Sequence, residues 1–317
     1  MVRLVAIRIS AFALTLLAAS AILFVAINVL PGSAARAALG VDATPQAIAR
    51  FEAQHGLDRP WSVQYLEWIG RTVHGDLGAS FQNGVAVGPE LLSRVPVTLE
   101  LAVLAFVVAN LIAIPLGAAG AARRRTNSDR AITTLATIAG STPSFWLATL
   151  LVMVFTLNLR WLPPGGFTPL SVDPWRNLQQ MIMPALSLGL VSSGLLIRIM
   201  RSSMIDVLSS DYVLMAAAKG ASRRFIFRRH ALRNVAIPYM HVATVEFGFL
   251  FGGVVVIEDI FRLPGVGSLV LVGIINRDYP VLMAGALAIT LFVLVSNLLA
   301  DLATAFIDPR PAHSGAG

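Results

Sequence analysis

The sequence contains no cysteine. That excludes a disulfide framework, a thiolate metal site and a cysteine nucleophile. Charge is scarce as well: Asp, Glu, Lys and Arg make up 13% of the chain, against about 25% in ordinary soluble domains. Lys219 is the only lysine. A Walker A phosphate loop ends in Gly-Lys-Ser/Thr, because its lysine neutralises the terminal phosphates. Lys219 lies between Ala218 and Gly220, so this chain does not hold a nucleotide in that way. There is no His-Glu-x-x-His run. His55, His74, His230, His241 and His313 are scattered, and Ser141, Ser144 and Ser187 have no His/Asp partner placed to activate them. No constellation for catalysis, metal or cofactor is visible, and the chain reads as a non-enzyme.

Apolar residues are what the chain has in excess. They form 56% of it, and the mean hydropathy is +0.75. A soluble chain of 317 residues and 33.8 kDa would hold roughly two domains. A chain this poor in charge cannot coat a globule with water-compatible surface, so it needs lipid as solvent. A soluble enzyme and a disordered chain are both excluded.

Uncharged runs locate the spans: 9–35, 101–122, 131–159, 177–197 and 281–300, with a sixth, 234–257, broken only by Glu246. Each supplies the roughly 20 apolar residues that a helix needs to cross about 30 Å of hydrocarbon. With flanking residues the spans are expected at 9–31, 97–122, 131–159, 178–200, 236–260 and 281–307, inside a transmembrane domain of 9–310. Residues 1–8 and 311–317 are cytoplasmic ends. The stretch Leu263–Asn276 is too short to span, contains Pro264, Gly265 and Gly267, and reads as an interfacial or re-entrant loop facing the fifth and sixth helices.

The net charge of +7 would suit nucleic acid, but the arginines cluster between apolar runs, as in cytoplasmic loops. Segment 123–130 carries net +3 and segment 198–233 net +6, whereas 36–96 carries five arginines against six acids. Arginine-dense loops stay inside. The two basic segments are therefore cytoplasmic, the segment 32–96 is external, and both termini are cytoplasmic. The first span could instead be a cleaved signal peptide, with small residues at Ala34, Ala35 and Ala37. Its uncharged core exceeds the 7–15 residues of a signal h-region, and cleavage would spoil the charge pattern. Within 32–96, helical patterns cover Pro45–His55 and Trp61–Val73, and Gly75-Asp76-Leu77-Gly78 reads as a turn.

The cytoplasmic loop 201–235 has the form of a hairpin. Ser209, Ser210 and Asp211 offer N-cap oxygens for a helix over Tyr212–Lys219. Gly220 is placed to end that helix in the left-handed conformation. Ser222 caps the next, basic helix, and Pro238 falls in the first turns of the fifth span, where a missing N–H costs little. From residues alone, a hairpin solvated near anionic headgroups and a docking element are equal readings.

The stretch Ala216–Pro238, AAAKGASRRFIFRRHALRNVAIP, is similar to the cytoplasmic EAA loop of ATP-binding-cassette importer permeases, and more narrowly to the dipeptide/oligopeptide/nickel class. Ala216, Ala218, Gly220, Arg229, His230, Leu232, Asn234 and Pro238 carry the motif. Its glutamate is absent, and Ala217 stands where many relatives carry arginine. The resemblance extends along the chain through Leu30-Pro31-Gly32, Gly56–Trp68, His74–Phe81, Ser141–Ala148, Leu162–Gly166, Met183–Leu190, Val254–Gly267, Arg277–Pro280 and Asn297–Arg310.

The resemblance implies an all-α integral membrane subunit with six transmembrane helices, an external segment after the first and a coupling-helix loop between the fourth and fifth. Ala216, Ala217, Ala218, Lys219, Gly220, Ser222, Arg223, Arg224 and Arg229 would form the ATPase-coupling surface. It implies a homologous second permease, two ATPase subunits that carry ATP and Mg, and an external solute-binding protein, all at a bacterial inner membrane. The function expected is import of peptides or related small solutes by alternating access. The alternative is a stand-alone proton-coupled secondary transporter.

Four acidic residues stand out. Glu246 lies near the midplane of the fifth span, where a lipid-facing carboxylate costs several kcal/mol. It reads either as a pathway residue meeting a cationic group or as a structural hydrogen bond to a neighbouring helix. Glu258 and Asp259 end the same span beside the loop 262–280, and gate or support is expected ahead of substrate binding. Asp301 is expected to bond between helices.

Overall fold

The computed structural model describes residues 2–29, 32–40, 42–222 and 225–307. The described residues are almost entirely helical, and the one β feature among them is an isolated bridge between Ala79 and Ala86. Helix α1 runs Val2–Val29, and three short helices follow: α2 Ala34–Leu39, α3 Pro45–His55 and α4 Trp61–Val73. Local signals set α3. The Thr44 hydroxyl accepts the Ala47 N–H, Pro45 opens the helix, and Gly56 closes it in the left-handed region at φ 68°. Helices α3 and α4 occupy the two stretches of 32–96 expected to be helical.

Helix α5 spans Val87–Ala122, 36 residues. At 1.5 Å per residue it is about 54 Å long, well beyond the roughly 30 Å of hydrocarbon. Its extra length lies at the start, where Arg94 pairs with Glu90 at 2.8 Å. The apolar run begins only after these charges, which is why the sequence suggested a shorter span.

The third span is not one helix. Helices α6, Asn127–Ser141, and α7, Ser144–Leu151, are bent by 98° at Thr142-Pro143, and α7 continues as a π-helical stretch Val152–Asn158. A residue preceding proline is driven out of the α region, and Thr142 adopts φ −83°, ψ 128°. Hydropathy alone reads through such a break. The chain continues as α8 Pro174–Leu208, α9 Asp211–Ala218, a π turn Ile226–Ala231, α10 Leu232–Ile260, α11 Val266–Ile275 and α12 Tyr279–Ile307. Among the described residues five helices are long and apolar enough to cross a membrane, or six if the bent pair is one span. The stretch expected as a loop at 263–276 holds a helix, α11, too short to cross.

The chain forms two compact units: Met1–Glu100, Gly165–Phe167 and Val254–Phe292 in one, Leu101–Pro164, Thr168–Gly253 and the chain from Val293 in the other. In the first, Phe24, Ile27, Trp68, Val270, Leu282 and Met283 form one core, and Val87, Leu91, Val266, Leu269, Val281 and Ala284 another. In the second, small residues of α5 and α6 (Ala109, Ala113, Ala136) pack on Leu196, Met200 and Met204 of α8 and on Val235 and Tyr239 of α10. A Cβ at Gly189 would press on the Ala105 carbonyl, and one at Gly194 on Gly140 and Ala136, so α8 meets α5 and α6 nearly backbone to backbone. Gly252 has no atom within 4 Å of its Cβ position.

Candidate functional site

The hairpin between α8 and α10 is built from local chemistry, with two departures from expectation. Ser209 and Ser210 do not cap α9. Their hydroxyls turn back and donate to the carbonyls of Ile205 (2.9 Å) and Val207 (2.6 Å), satisfying the open end of α8. Asp211 sits in the first turn of α9, where its charge suits the helix dipole. At the other end the Ala221 N–H reaches back to the Ala216 carbonyl at 3.1 Å. This six-to-one bond is that of a Schellman close, and it requires a left-handed residue between. Gly220 supplies it at φ 85°, with nothing within 4 Å of its Cβ position. Backbone conformation, not space, demands glycine here.

The Ser222 hydroxyl accepts the Phe225 N–H at 3.3 Å, and the chain re-enters helix through the π turn. That turn runs directly into α10, so Pro238 lies well inside continuous helix rather than in its first turns. Val213 and Ile226 are buried beneath the hairpin, and the Asn234 amide donates to the Tyr212 hydroxyl at 2.7 Å. The second helical arm thereby holds the first in register. Ala218, Lys219, Gly220 and Ser222 are exposed, and Ala216 is half-buried. Ala217 lies in α9 and Arg229 in the π turn. Arg223 and Arg224 lie outside the described residues, as do Leu30 and Pro31 and the tail from Asp308. Asp301 lies in α12.

The hairpin's outer surface is not only basic. Met215 is 61% exposed, Phe225 48% and Tyr212 44%. Three large apolar groups exposed together form a patch of the kind found at protein or membrane interaction sites.

Close to the hairpin lies an ion pair that sequence reasoning missed. Asp129, in the first turn of α6, receives Arg201 of α8 through Nε (2.5 Å) and Nη2 (2.8 Å). Its Oδ2 also takes the Arg125 N–H at 2.9 Å. Asp129 is 4% exposed. The pair fastens the start of α6 to the last turns of α8, the helix that leads into the hairpin. Both residues had been counted as loop charges.

The acidic residues of α10 divide sharply. Glu246 stands midway along the helix, half-buried. Among the described residues no hydrogen-bonding or ionic partner meets its carboxylate, so the structural bond expected as one alternative is not made within them. Glu258 is fully buried. Its Oε1 accepts the Thr98 hydroxyl at 2.6 Å, and its Oε2 accepts the Ser268 N–H at 2.8 Å and also that of Gly267. Thr98 Oγ1 in turn accepts the Val266 N–H at 2.8 Å. These are the orphan donors that open α11, whose own N-cap residue, Gly265, has no side chain to offer. A Cβ at Gly265 would overlap the Glu258 carboxylate. Glu258 is thus a remote N-cap, while Asp259 is exposed.

A second buried carboxylate, Asp278, does similar work in the same unit. It accepts the Ser80 hydroxyl at 2.5 Å and the Phe81 N–H at 3.1 Å, and Gln82 donates to the Asn276 carbonyl at 2.9 Å. The turn after α4 is thereby tied to the turn before α12. Nothing in a single sequence marks this link.

Five or six described helices long and apolar enough to cross a membrane define a multi-pass membrane protein, and its structured hairpin carries an exposed apolar tip. Comparison with known proteins makes the class specific. Residues 113–313 match the family of binding-protein-dependent transport system inner membrane components, and residues 1–102 match its N-terminal region. The chain belongs to this family, the permease subunits of ATP-binding-cassette importers, in which separate subunits hydrolyse ATP. It is 37% identical over 287 residues to a putative peptide transport system permease protein of Brucella abortus, covering 90% of this chain and 91% of the relative. It is 38% identical over 295 residues to a glutathione transport system permease protein of Salmonella typhi, covering 93% and 94%. Among solved structures it resembles the MetNI methionine ABC transporter in an inward-facing form. The TM-score is 0.57 at 15% identity, over 69% of this chain and 96% of that one; that likeness concerns the fold.

Proposed function

We propose that the chain forms half of the translocation pathway of an ATP-driven importer for peptides or peptide-like solutes such as glutathione. In this reading six spans cross the bacterial inner membrane, with both termini, the α6 entry and the α9 hairpin in the cytoplasm and the segment 32–96 outside. A homologous permease supplies the other half of the pathway. Two ATPase subunits, which carry ATP and Mg, bind the two hairpins, and an external binding protein delivers solute. The exposed apolar tip of Tyr212, Met215 and Phe225, on a hairpin held by the Gly220 close and the Tyr212–Asn234 bond, carries this reading.

Closure of the ATPases on nucleotide moves α9, and the continuous π turn and α10 transmit that motion into the membrane. Alternating access follows as the spans tilt. Ala216–Ser222 with Arg223, Arg224 and Arg229 form the docking surface, and Glu246 faces the pathway or the second permease. Glu258 supports the outer end of α10, next to exposed Asp259.

The test is peptide and glutathione uptake by cells that carry or lack the chain, with and without the partner ATPases. Uptake should require both. Uptake that survives loss of the ATPases and follows the proton gradient would replace this reading with a secondary transporter.

A further inference from the structure

The first unit contains an open cavity of about 1000 Å³ lined by α1, α3, α4, the turn 76–84 and the start of α12. None of the roles above uses it. It lies at the upper end of the roughly 300–1,000 Å³ of small-molecule sites. Its floor is apolar and aromatic: Phe24, Trp68 and Met283 are buried, with Tyr279 and Phe81 half-buried beside them. Its rim is charged with both signs, carrying Arg59, Arg71, Glu67 and Asp76.

These charges differ in how far they are engaged. Arg59 is paired with Glu67 at 2.5 Å. Among the described residues the Arg71 guanidinium has no partner at all, although it sits one helical turn after Glu67. Asp76 spends Oδ1 on the Gly78 N–H at 2.9 Å and keeps Oδ2 free. His55 and His74 each donate Nδ1–H to the carbonyl four residues back, at 2.9 and 2.8 Å, which leaves the Nε2 of each ring for a ligand.

We propose that this cavity binds a short zwitterionic peptide with apolar side chains. The free Arg71 fork is suited to a terminal carboxylate, which it can hold by two charge-assisted hydrogen bonds. Asp76 and the imidazole Nε2 atoms are suited to a terminal ammonium, and the aromatic floor to side chains. A polyanion would meet Glu67 and Asp76, and a purely apolar ligand would strip water from Arg71 without replacing it. The walls are held for this purpose by Asp278, which clamps Ser80 and Phe81 against the turn before α12. The inference rests on the peptide-importer reading, with the α1–α5 segment outside. It adds a waiting site ahead of the membrane pathway, supplied by this chain alone.

The experiment uses the full chain with its co-purifying subunits, without the external binding protein, in phosphatidylcholine nanodiscs without ATP. Equilibrium dialysis measures binding of Leu-Phe, its C-terminal amide and its N-acetyl form. Leu-Phe should bind saturably, and each blocked form about tenfold more weakly, the size expected for one lost charge-assisted bond. Arg71→Gln should weaken Leu-Phe about tenfold and bring it level with the amide. Asp76→Asn, which keeps Oδ1, should remove the distinction between Leu-Phe and its N-acetyl form.

Equal binding of free and blocked peptides overturns the proposal on the unaltered chain, whatever the variants do. Leu-Phe binding unchanged by Arg71→Gln places the peptide elsewhere and also overturns it. So does loss of binding when phosphatidylethanolamine, a zwitterion of lipid origin, is added to the nanodisc. Uptake assays on the same chain separate the two ideas: ATP-dependent uptake without this binding rejects the cavity alone, and this binding without such uptake rejects the importer reading alone.

Discussion

Single residues in this chain act mostly by meeting a backbone need. Gly220 has open space around it yet holds φ 85°, a region that costs other residues about 1–2 kcal/mol. Gly220→Ala should therefore fold and insert but couple less efficiently. Gly220→Pro, whose ring locks φ near −65°, should abolish uptake while the chain still reaches the membrane. Uptake measured beside the membrane content of the chain checks both. Arg125, Arg160, Arg262 and Arg277 also hold positive φ, between 53° and 67°. Each of these arginines follows the end of a helix, where a cation favours the exposed carbonyls.

Glu258 meets a different backbone need, since it satisfies the donors that open α11. Removing it in Glu258→Ala leaves buried donors without acceptors, at about 1–3 kcal/mol. The thermal midpoint in detergent should fall, while Asp259→Ala, at an exposed position, should leave it in place. Glu246 has no such structural duty among the described residues. Glu246→Gln should leave that midpoint unchanged but slow uptake of solutes bearing a free amino terminus. Unchanged uptake of every solute would remove Glu246 from the pathway.

At the scale of elements, two routes connect the hairpin region with the long apolar helices. One route is covalent, from the hairpin through the π turn into α10. The other is the Asp129–Arg201 fork, which binds the start of α6 to α8. Arg201 keeps 27% side-chain exposure and Asp129 6%, so breaking the pair should cost about 2–3 kcal/mol, below the 3–5 of a fully buried pair. Arg201→Lys should lose most of this, because a point charge cannot replace the two-pronged contact. Asp129→Asn combined with Arg201→Lys should lose less than the sum of the two single changes. A double-mutant cycle on thermal unfolding measures the coupling, and strict additivity would mean that the two elements are fastened by something else.

For the whole molecule, the absence of cysteine is an experimental advantage, because any cysteine introduced is the only one. A cysteine at Lys219 or Ser222 should be shielded from a membrane-impermeant maleimide in intact cells, and one at Asn83 should react. The hairpin cysteine should crosslink to an ATPase subunit. Reaction at Lys219 from outside would invert the topology and remove the docking surface with it. Helix α4 is held on α1 by Trp68 against Phe24 and by the Tyr65–Ser20 hydroxyl contact at 2.9 Å, and the turn after α4 is held by Asp278.

Much of this was legible along the chain, for reasons of solvent and local chemistry. Lipid admits only backbones that satisfy themselves, so long uncharged runs had to be spans. Gly220 and Ser222 announced a helix–turn–helix because their effects reach only a few residues. The same signals failed where a local rule was outvoted. The run 131–159 concealed a bend at Thr142-Pro143, and Ser209 and Ser210 served the helix behind them rather than the one ahead. The partnerships that hold the molecule were not readable at all: Asp129 with Arg201 lies 72 residues apart, Thr98 with Glu258 160, and Ser80 with Asp278 198. Sequence alone determined the solvent, the spans and the turns, because those follow from each segment's own free energy. Only the tertiary structure decided which buried carboxylate meets which donor, because that depends on where distant segments come together.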